Sequence, residues 1–229
     1  MMGDKQFSEF QNELKLELGQ RTDLESIGGE NYLGIWINTA YITLATKNKL
    51  WGVRKNFRFP ELEAVTTDTT ADGDSTVNTP TNCMIVRHVW DSTNDVKLRA
   101  VPFHKYISYT GRETAASEGK PTEYVRNGEY IYLYPRPDDE YTLYIYYRKR
   151  PAKLVDADDV TEIGAEWDEP ILKLAKIIAL GKLNQHDEVK REREEWDDMV
   201  RGIVGVYDQE ELDREQIRKP HQSYMDRGY

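Results

Sequence analysis

The chain has 229 residues, a length that suits one or two domains, and its 41 acidic against 31 basic side chains give a formal net charge of −10. This charge argues against a general cationic nucleic-acid binder, because binding to phosphate groups requires a basic face. One cysteine, Cys83, excludes an intramolecular disulfide and a cysteine-rich zinc site, and the lack of a long apolar stretch or a signal-peptide core predicts a soluble, cytosolic product without a membrane anchor.

The first elements in chain order are predicted to be helices. Large apolar residues recur near the N-terminus at spacings of three and four, the pattern of an amphipathic helix, which Gly19 can end. The residues of this apolar face are Phe7, Phe10, Leu14 and Leu18. A second apolar run covers residues 32–44, and its length favours a buried helix over a strand.

The middle of the chain changes to a β pattern. Residues 55–65 are predicted to be extended, and the polar, low-complexity residues 66–82 are predicted to form a loop that is mobile or ordered by a partner. Short strands are predicted at residues 84–90 and 96–101, and a brief helix is predicted at residues 102–109.

The clearest β signal lies at residues 122–148. The dipeptide Asn127-Gly128 is a strong hairpin signal, and both faces of the flanking strands are apolar or amphipathic, which predicts a central hairpin. The many tyrosines of this region allow two interpretations, a platform that stacks on sugars or bases and ordinary packing within a sheet. Packing is the more frequent of the two.

The C-terminal part is again helical. Trp167 begins a region whose apolar face is wide as far as Leu183. A charged helix follows, and its residues 187–198 carry seven acids against three bases. This charge fits either a solvent-exposed face with i,i+4 ion pairs or an acidic wall that faces a partner or a DNA channel.

Together these elements predict an α+β fold, in which a helical bundle from both chain ends carries an inserted small antiparallel β module and ends in an extended C-terminal tail. The tail has too few apolar residues for a core of its own, so it is either disordered or docked on another chain. The predicted segments are N-terminal helices at 1–51, the inserted β module at 52–150, C-terminal helices at 151–207 and the tail at 208–229.

The sequence contains no recognisable catalytic motif. The four histidines are far apart, and no metalloprotease, phosphate-loop or nucleophile-elbow pattern is present. Asp156, Asp158 and Asp159 could bind a hard cation through their carboxylates, but a loop with several acids is usually only solvated. We therefore expect no enzyme activity, no cofactor and no metal site.

A series of short motifs carries a family resemblance. They are GKPTEY at 119–124, IYLYPRPD at 131–138, YTL at 141–143, YY at 146–147, then Pro151, Leu154, Asp156, Trp167 and PIL at 170–172. In this order and spacing they resemble the tailed-phage head-to-tail adaptor proteins, in which a GxPxxY segment precedes a strand that ends in LYPxPD. The resemblance covers about residues 119–183, while the loop at 66–82 and the tail depart from it.

The resemblance implies a structural virion protein. Such adaptors form a ring, a dodecamer that matches the twelvefold symmetry of the portal, and they join the portal to the tail while DNA passes through the lumen. The implied partners are the portal protein, tail or nozzle proteins, further copies of this chain and, transiently, the passing DNA. The implied location is the virion neck, with the host cytoplasm as the place of assembly.

Within this function the tail is predicted to bind the portal, because isolated apolar anchors among arginines are typical of a segment that lies along a partner's groove. The predicted portal-binding residues are Leu212, Arg214, Ile217, Arg218, Tyr224, Met225 and Tyr229. Two alternative functions stay open at this point, a peptidoglycan-degrading tail enzyme and a carbohydrate-binding β module that uses the tyrosines.

Overall fold

A computed structural model of the chain describes residues 5–21, 24, 31–47, 49–50, 53–54, 57, 59–110 and 117–218. The chain divides into two compact units. The helical unit consists of Met1–Arg58 and Lys153–Tyr229, and the sheet unit consists of Phe59–Ala152. Helices and largely antiparallel sheets are both present, so the predicted α+β class is confirmed.

The helices and strands that the structure describes follow one another in an order that places all ten strands between α2 and α4. In chain order they are α1 (Phe7–Glu17), α2 (Tyr32–Thr46), β1 (Lys49–Leu50), β2 (Val53–Arg54), β3 (Glu63–Thr69), β4 (Thr76–Asn78), β5 (Cys83–Asp91), β6 (Val96–Lys97), β7 (Arg99–Ala100), α3 (Phe103–Thr110), β8 (Glu123–Asn127), β9 (Tyr130–Tyr134), β10 (Thr142–Lys149), α4 (Asp168–Lys182) and α5 (His186–Arg218).

The first two helices lie where the apolar patterns predict them. α1 buries Phe10 and Leu14 and is followed by Gly19 with a φ of +78°, a left-handed conformation that suits glycine. α2 begins after Asn31, whose side chain accepts a hydrogen bond from the amide of Gly34 at 3.0 Å. The fifteen residues of α2 include no charged side chain, so the helix is stable only if neighbouring elements cover most of its surface.

α4 is the helix around which the helical unit is packed, since it contacts α1, α2 and α5. The indole N–H of the fully buried Trp196 in α5 donates a hydrogen bond to the Pro170 carbonyl of α4 at 2.9 Å. The ring of Trp167, just before α4, lies 5.2 Å from the ring of Phe57 in an edge-on arrangement. The helical region predicted to begin at Trp167 is therefore confirmed.

A buried carboxylate joins α4 to α5. The side chain of Glu192 is only 3% exposed and lies 2.8 Å from Lys173 Nζ and 3.0 Å from Lys176 Nζ. Lys176 Nζ also lies 3.2 Å from the carboxylate of Glu17, so the ion pairs connect α1, α4 and α5. Burial alone would raise the pKa of Glu192, but the hydrogen bonds from the two lysines outweigh burial and hold this pKa below its ordinary value.

The sheet unit contains two four-stranded sheets with a shared core. The first sheet has the strand order β3-β10-β5-β6 and is antiparallel throughout, and the second has the order β4-β9-β8-β7 with a parallel β7–β8 pair. The buried core between them consists of Val77, Val89, Leu98, Tyr124, Ile131, Leu133, Tyr141, Leu143, Ile145 and Tyr147. On the opposite face of the second sheet, Tyr106 of α3 packs against Val101 and Val125.

The predicted hairpin at residues 122–148 is correct in its first half and wrong in its second. β8 and β9 pair antiparallel around Gly128, which has a φ of +64°. β10 does not pair with β9 but lies in the other sheet, between β3 and β5. Leu143 and Ile145 of β10 thereby meet Leu133 of β9 across the core, which buries both apolar rows face to face.

The polar loop predicted at residues 66–82 is also wrong in part, because it contains strand residues. β3 extends through Thr69, and β4 occupies Thr76–Asn78. Threonine is a good strand former, and β10 provides the pairing partner that the local sequence does not reveal. Val77 is 4% exposed and contributes to the core, which explains why this polar segment is ordered.

Two smaller corrections concern the same unit. Part of the segment predicted to be extended at residues 55–65 is a short 3₁₀ helix, Pro60–Leu62, and residues 55, 56 and 58 lie outside the described part of the chain. The strand predicted at 96–101 is two strands in different sheets, because the intervening Leu98 turns into the core and is 2% exposed. The strand predicted at 84–90 and the helix predicted at 102–109 are confirmed as β5 and α3.

The extended tail predicted from residue 208 begins as a helix instead. α5 continues to Arg218, and residues 208–218 contain neither glycine nor proline and are rich in glutamate, glutamine and arginine, which favour helix. Pro220 stands two residues beyond Arg218, and a proline is a residue before which a helix is expected to end. The rest of the predicted tail, residues 219–229, lies outside the described residues.

We expect Glu192→Gln to lower the free energy of unfolding by about 1–3 kcal/mol at pH 7, because it leaves the cations of Lys173 and Lys176 facing a neutral group. A lowered pKa in the folded state means that Glu192 contributes stability above its unfolded pKa and loses this contribution as the pH falls through the folded value. Chemical denaturation at several pH values should therefore show the difference between wild type and variant shrinking in acid. The exposed Glu195, which also pairs with Lys173, provides the control, and Glu195→Gln should change stability by well under 1 kcal/mol. Equal effects of the two changes would contradict a special role for the buried carboxylate.

We expect Leu133→Ala to cost about 2–4 kcal/mol, because Leu133 is 1% exposed in the core between the two sheets. Tyr130→Ala on the same strand is the matched control, since Tyr130 is 45% exposed and its removal should cost much less. Thermal and denaturant melts of both variants measure the difference. Wild-type-like melting of the Leu133 variant would disprove the assignment of this residue to the core.

Candidate functional site

One face of the first sheet is turned away from the core and is rich in aromatic side chains. Along β10 the side chains alternate, so that Leu143 and Ile145 are fully buried while Tyr144 and Tyr146 are 39% and 38% exposed. β10 is therefore apolar or aromatic on both faces, with one face buried in the core of the sheet unit and the other exposed to solvent. The sequence shows this two-sided apolar pattern, but it does not show which face is left uncovered.

Strand register places further apolar side chains beside these tyrosines. Val65 and His88 lie on either side of Tyr146, and Trp90 lies beside Tyr144. The imidazole of His88 stacks on the ring of Tyr146, with centroids 4.3 Å apart and an interplanar angle of 18°. Val65 and the nearby Ile85 are 54% and 45% exposed, so the patch is aliphatic as well as aromatic.

The charges on this face are mostly positive. Arg87 pairs with Glu63 at 2.8 Å, while Lys97 lies opposite Trp90 and Arg148 lies opposite Glu63. Burial and the charge of Lys97 hold the pKa of His88 below its ordinary value, which favours the neutral imidazole. Three cations against one anion give this face a net charge of +2, although the whole chain carries −10.

We call this surface the outer sheet face and define it by its members. They are Glu63, Val65, Ile85, Arg87, His88, Trp90, Lys97, Tyr144, Tyr146 and Arg148. Tyrosine, tryptophan and arginine are the residue types that protein–protein interfaces favour.

The remaining tyrosines of the β region mainly pack within the sheet unit, as the packing interpretation predicts. Tyr124, Tyr141 and Tyr147 belong to the core between the two sheets. Tyr132 and Tyr134 pack under α3, where the ring of Tyr134 stacks 4.7 Å from that of Tyr109.

A second apolar surface lies in the helical unit. A groove of about 640 Å³ runs along α2, and we call it the α2 groove. The residues that line it include Phe7, Ile35, Thr39, Ile42, Lys153 and Val155. Ile35 is 43% exposed and Val155 is 75% exposed, so apolar side chains on both walls of the groove are open to solvent.

The wall of the α2 groove that contains Lys153 and Val155 is held against α2 by one side chain. The amide group of Asn38 donates a hydrogen bond to the Leu154 carbonyl at 2.9 Å and accepts one from the Leu154 amide at 2.8 Å. This pair of bonds fixes the chain that leaves the sheet unit against α2. Val155, the next residue, therefore has a defined position beside the helix.

The acidic linker next to this wall is an ordered turn. The carboxylate of Asp159 accepts hydrogen bonds from the amides of Val155 and Asp156 at 2.6 and 2.8 Å, and these bonds hold its pKa below the ordinary value. The carboxylates of Asp156, Asp158 and Asp159 are three anions and Lys153 is one cation, so this rim of the α2 groove has a net charge of −2. The two apolar surfaces thus carry opposite charge.

The described residues provide no sign of a catalytic or metal-binding arrangement. No three histidine, cysteine or acidic side chains among them come close enough together to hold a metal ion. Burial raises the pKa of the Cys83 thiol, which lowers the fraction of reactive thiolate at neutral pH. None of the helices that the structure describes has the length and apolar character that a membrane span requires.

The structure describes the backbone of only part of the predicted portal-binding set. Leu212, Arg214, Ile217 and Arg218 lie in the last turns of α5. Tyr224, Met225 and Tyr229 lie outside the described residues.

The charged helix predicted at residues 187–198 is the first half of α5, and several of its acids form ion pairs. Glu195 lies near Arg191 and Asp198 lies near Arg201, as expected for a solvent-exposed face with ion pairs one turn apart. Glu192 is the exception, because it is buried against α4. The alternative of an acidic wall that faces a partner or a DNA channel stays a prediction.

Comparison with known proteins agrees with a role in binding. No curated protein matches the chain. The family model described as SU10 adaptor protein matches residues 5–222, which include the whole sheet unit, most of the helical unit and all the described helices and strands. The chain therefore belongs to the SU10 adaptor protein family, a family of phage structural adaptors.

Proposed function

We propose that this protein is the head-to-tail adaptor of a phage, a structural subunit of a ring that joins the portal to the tail and leaves a lumen for DNA. The observation that carries the proposal is the family match over residues 5–222. In this proposal the ring is a dodecamer, its partners are the portal and the tail or nozzle proteins, and it is assembled in the host cytoplasm and remains in the virion neck.

The architecture supports a part that is held between other proteins. We infer that residues 1–51 and 151–207 form a helical bundle, and that residues 52–150 form the inserted β module. Each unit presents its own apolar surface, the α2 groove in one and the outer sheet face in the other. The net charge of −10 per subunit would also keep a ring from adhering to the DNA that passes through it.

The length of α5 supports a contact with the portal near its end. The 33 residues of α5 span roughly 50 Å, whereas the 15 residues of α4 span roughly 22 Å. α4 can therefore cover only the first half of α5, where Trp196 and Val200 are buried. We propose that the segment from residue 208 onward binds the portal, with Leu212 and Ile217 as apolar anchors.

The carbohydrate-binding alternative has one observation in its favour, the exposed rings of Tyr144 and Tyr146. Sugars stack on open aromatic faces, but on the outer sheet face one of these rings is already stacked with His88. The aliphatic side chains of Val65 and Ile85 complete the patch and suit a protein surface better than a sugar.

We expect deletion of residues 208–229 to abolish attachment to portal-bearing heads while the rest of the chain stays folded. The buried core residues that the structure describes in both units lie outside the deleted segment, so melting should change little. Within the segment, Leu212→Ala and Ile217→Ala should each weaken attachment by about 1–2 kcal/mol per subunit, and the ring should multiply this loss through avidity. Gln209→Ala and Gln216→Ala are matched polar controls on the same helix. Co-sedimentation with heads measures attachment, and normal binding of the truncated chain would refute the proposed portal contact.

We also expect the purified protein to be monomeric or weakly associated, and to form a stable ring only on the portal. The reason is that the last segment of the chain lacks a core of its own, so that it gains its contacts from the partner. Light scattering of the free protein and of the protein bound to heads tests this order of assembly. A stable dodecamer in the absence of portal would contradict it.

A further inference from the structure

On both apolar surfaces, large apolar side chains are exposed to solvent in a single copy of the chain. On the outer sheet face, Val65 and Ile85 are 54% and 45% exposed, and in the α2 groove Ile35 and Val155 are 43% and 75% exposed. Contiguous apolar patches of this kind on a soluble protein usually mark a binding surface.

The composition of α2 supports a missing neighbour. A helix without charged residues is normally covered around its whole circumference, yet the side of α2 that carries Ile35, Thr39 and Ile42 faces the open groove. Thr39 and Ile42 add no charge, so an apolar partner surface can approach this side of the groove without desolvating an ion, while Lys153 is the charged residue of the opposite wall.

Charge decides which surfaces can pair. The outer sheet face carries +2 and the rim of the α2 groove carries −2, so two sheet faces or two grooves would repel each other. A sheet face against a groove would instead bring opposite net charges together, with Arg87 and Lys97 as candidate partners of Asp156 and Asp158. This combination is both apolar at its centre and complementary at its rim, as specific interfaces are.

The pairing of two different surfaces also gives the right symmetry. A contact between unlike surfaces is heterologous, and repetition of such a contact closes into a ring when the rotation per subunit permits. The outer sheet face belongs to the sheet unit and the α2 groove to the helical unit, so that every copy carries one of each.

We propose that the outer sheet face of one copy binds the α2 groove of the next copy, and that this contact is the subunit interface of the ring. The proposal rests on the proposed adaptor function and names its self-contact. Tyr144 and Tyr146 of one copy then pack against Ile35 and Val155 of its neighbour.

Two variants that each lack one surface test the proposal. Tyr144→Glu places an anion where the acidic rim should dock, and Ile35→Glu places one inside the groove, near the start of α2 where an acidic residue is compatible with the helix dipole. Sedimentation at high protein concentration should show association weakened by about tenfold or more for either variant alone. An equimolar mixture should recover association but stop at a heterodimer, because only one intact surface of each kind remains.

Matched controls carry the same chemical change at exposed sites elsewhere. Leu16→Glu in α1 and Tyr130→Glu in β9 replace side chains that are 58% and 45% exposed. Both should associate like the wild type. Loss of association in the controls, or a mixture that stays monomeric although both of its members melt normally, would overturn the proposal.

A photo-cross-linking amino acid at position 144 tests the contact where the ring forms. With a mixture of isotope-labelled and unlabelled copies bound to portal-bearing heads, the cross-linker should capture a peptide that contains residues 35–43 or 153–156 of a different copy. The same cross-linker at position 130 should not capture these peptides. Absence of the expected cross-link between copies overturns the proposal, whatever the free protein does.

The two measurements separate this interface from the adaptor function. Heads that bind the protein while the cross-links fall elsewhere would disprove the interface and leave the adaptor function standing. The expected cross-link between free copies, without any attachment to heads, would confirm the interface and disprove the adaptor function.

Discussion

The absence of charge in α2 is the constraint on which the helical unit depends. Fifteen consecutive residues without a charged side chain are stable only when other elements exclude water from them. α1 covers part of this surface, and α4 covers more, although α4 begins only after the whole sheet unit has been completed. The chain must therefore return to α2, and Asn38 fixes the returning chain at Leu154.

α4, which covers α2, packs in turn against α5, and this contact contains both an apolar and a charged side chain of α5. α5 is highly charged, yet it presents the buried Trp196 and the buried Glu192 to α4. The removal of a carboxylate from water is unfavourable unless it gains cationic partners. Lys173 and Lys176 are these partners for Glu192. The sheet unit has a separate core between its two sheets, so each unit contains the apolar contacts that stabilise it.

The surfaces that stay uncovered connect this architecture to the family. A structural adaptor functions through what it binds, so its surface should contain apolar areas that a single copy does not bury. The α2 groove and the outer sheet face are two such areas, and they differ in charge and in the unit to which they belong. In the proposed ring, this incomplete burial would provide the contacts between copies.

The sequence by itself determined α1, α2, α4 and the β8–β9 hairpin, because helical periodicity and the Asn127-Gly128 turn act over a few residues. It also contained the ordered motifs that resemble the adaptor family. Only the tertiary structure decided that β10 joins β3 and β5, that a threonine-rich segment is a strand, and that Glu192 is buried while Tyr144 is exposed. These features depend on partners far away in the chain, as when Tyr144 pairs with Thr67, and local propensity contains no information about such partners.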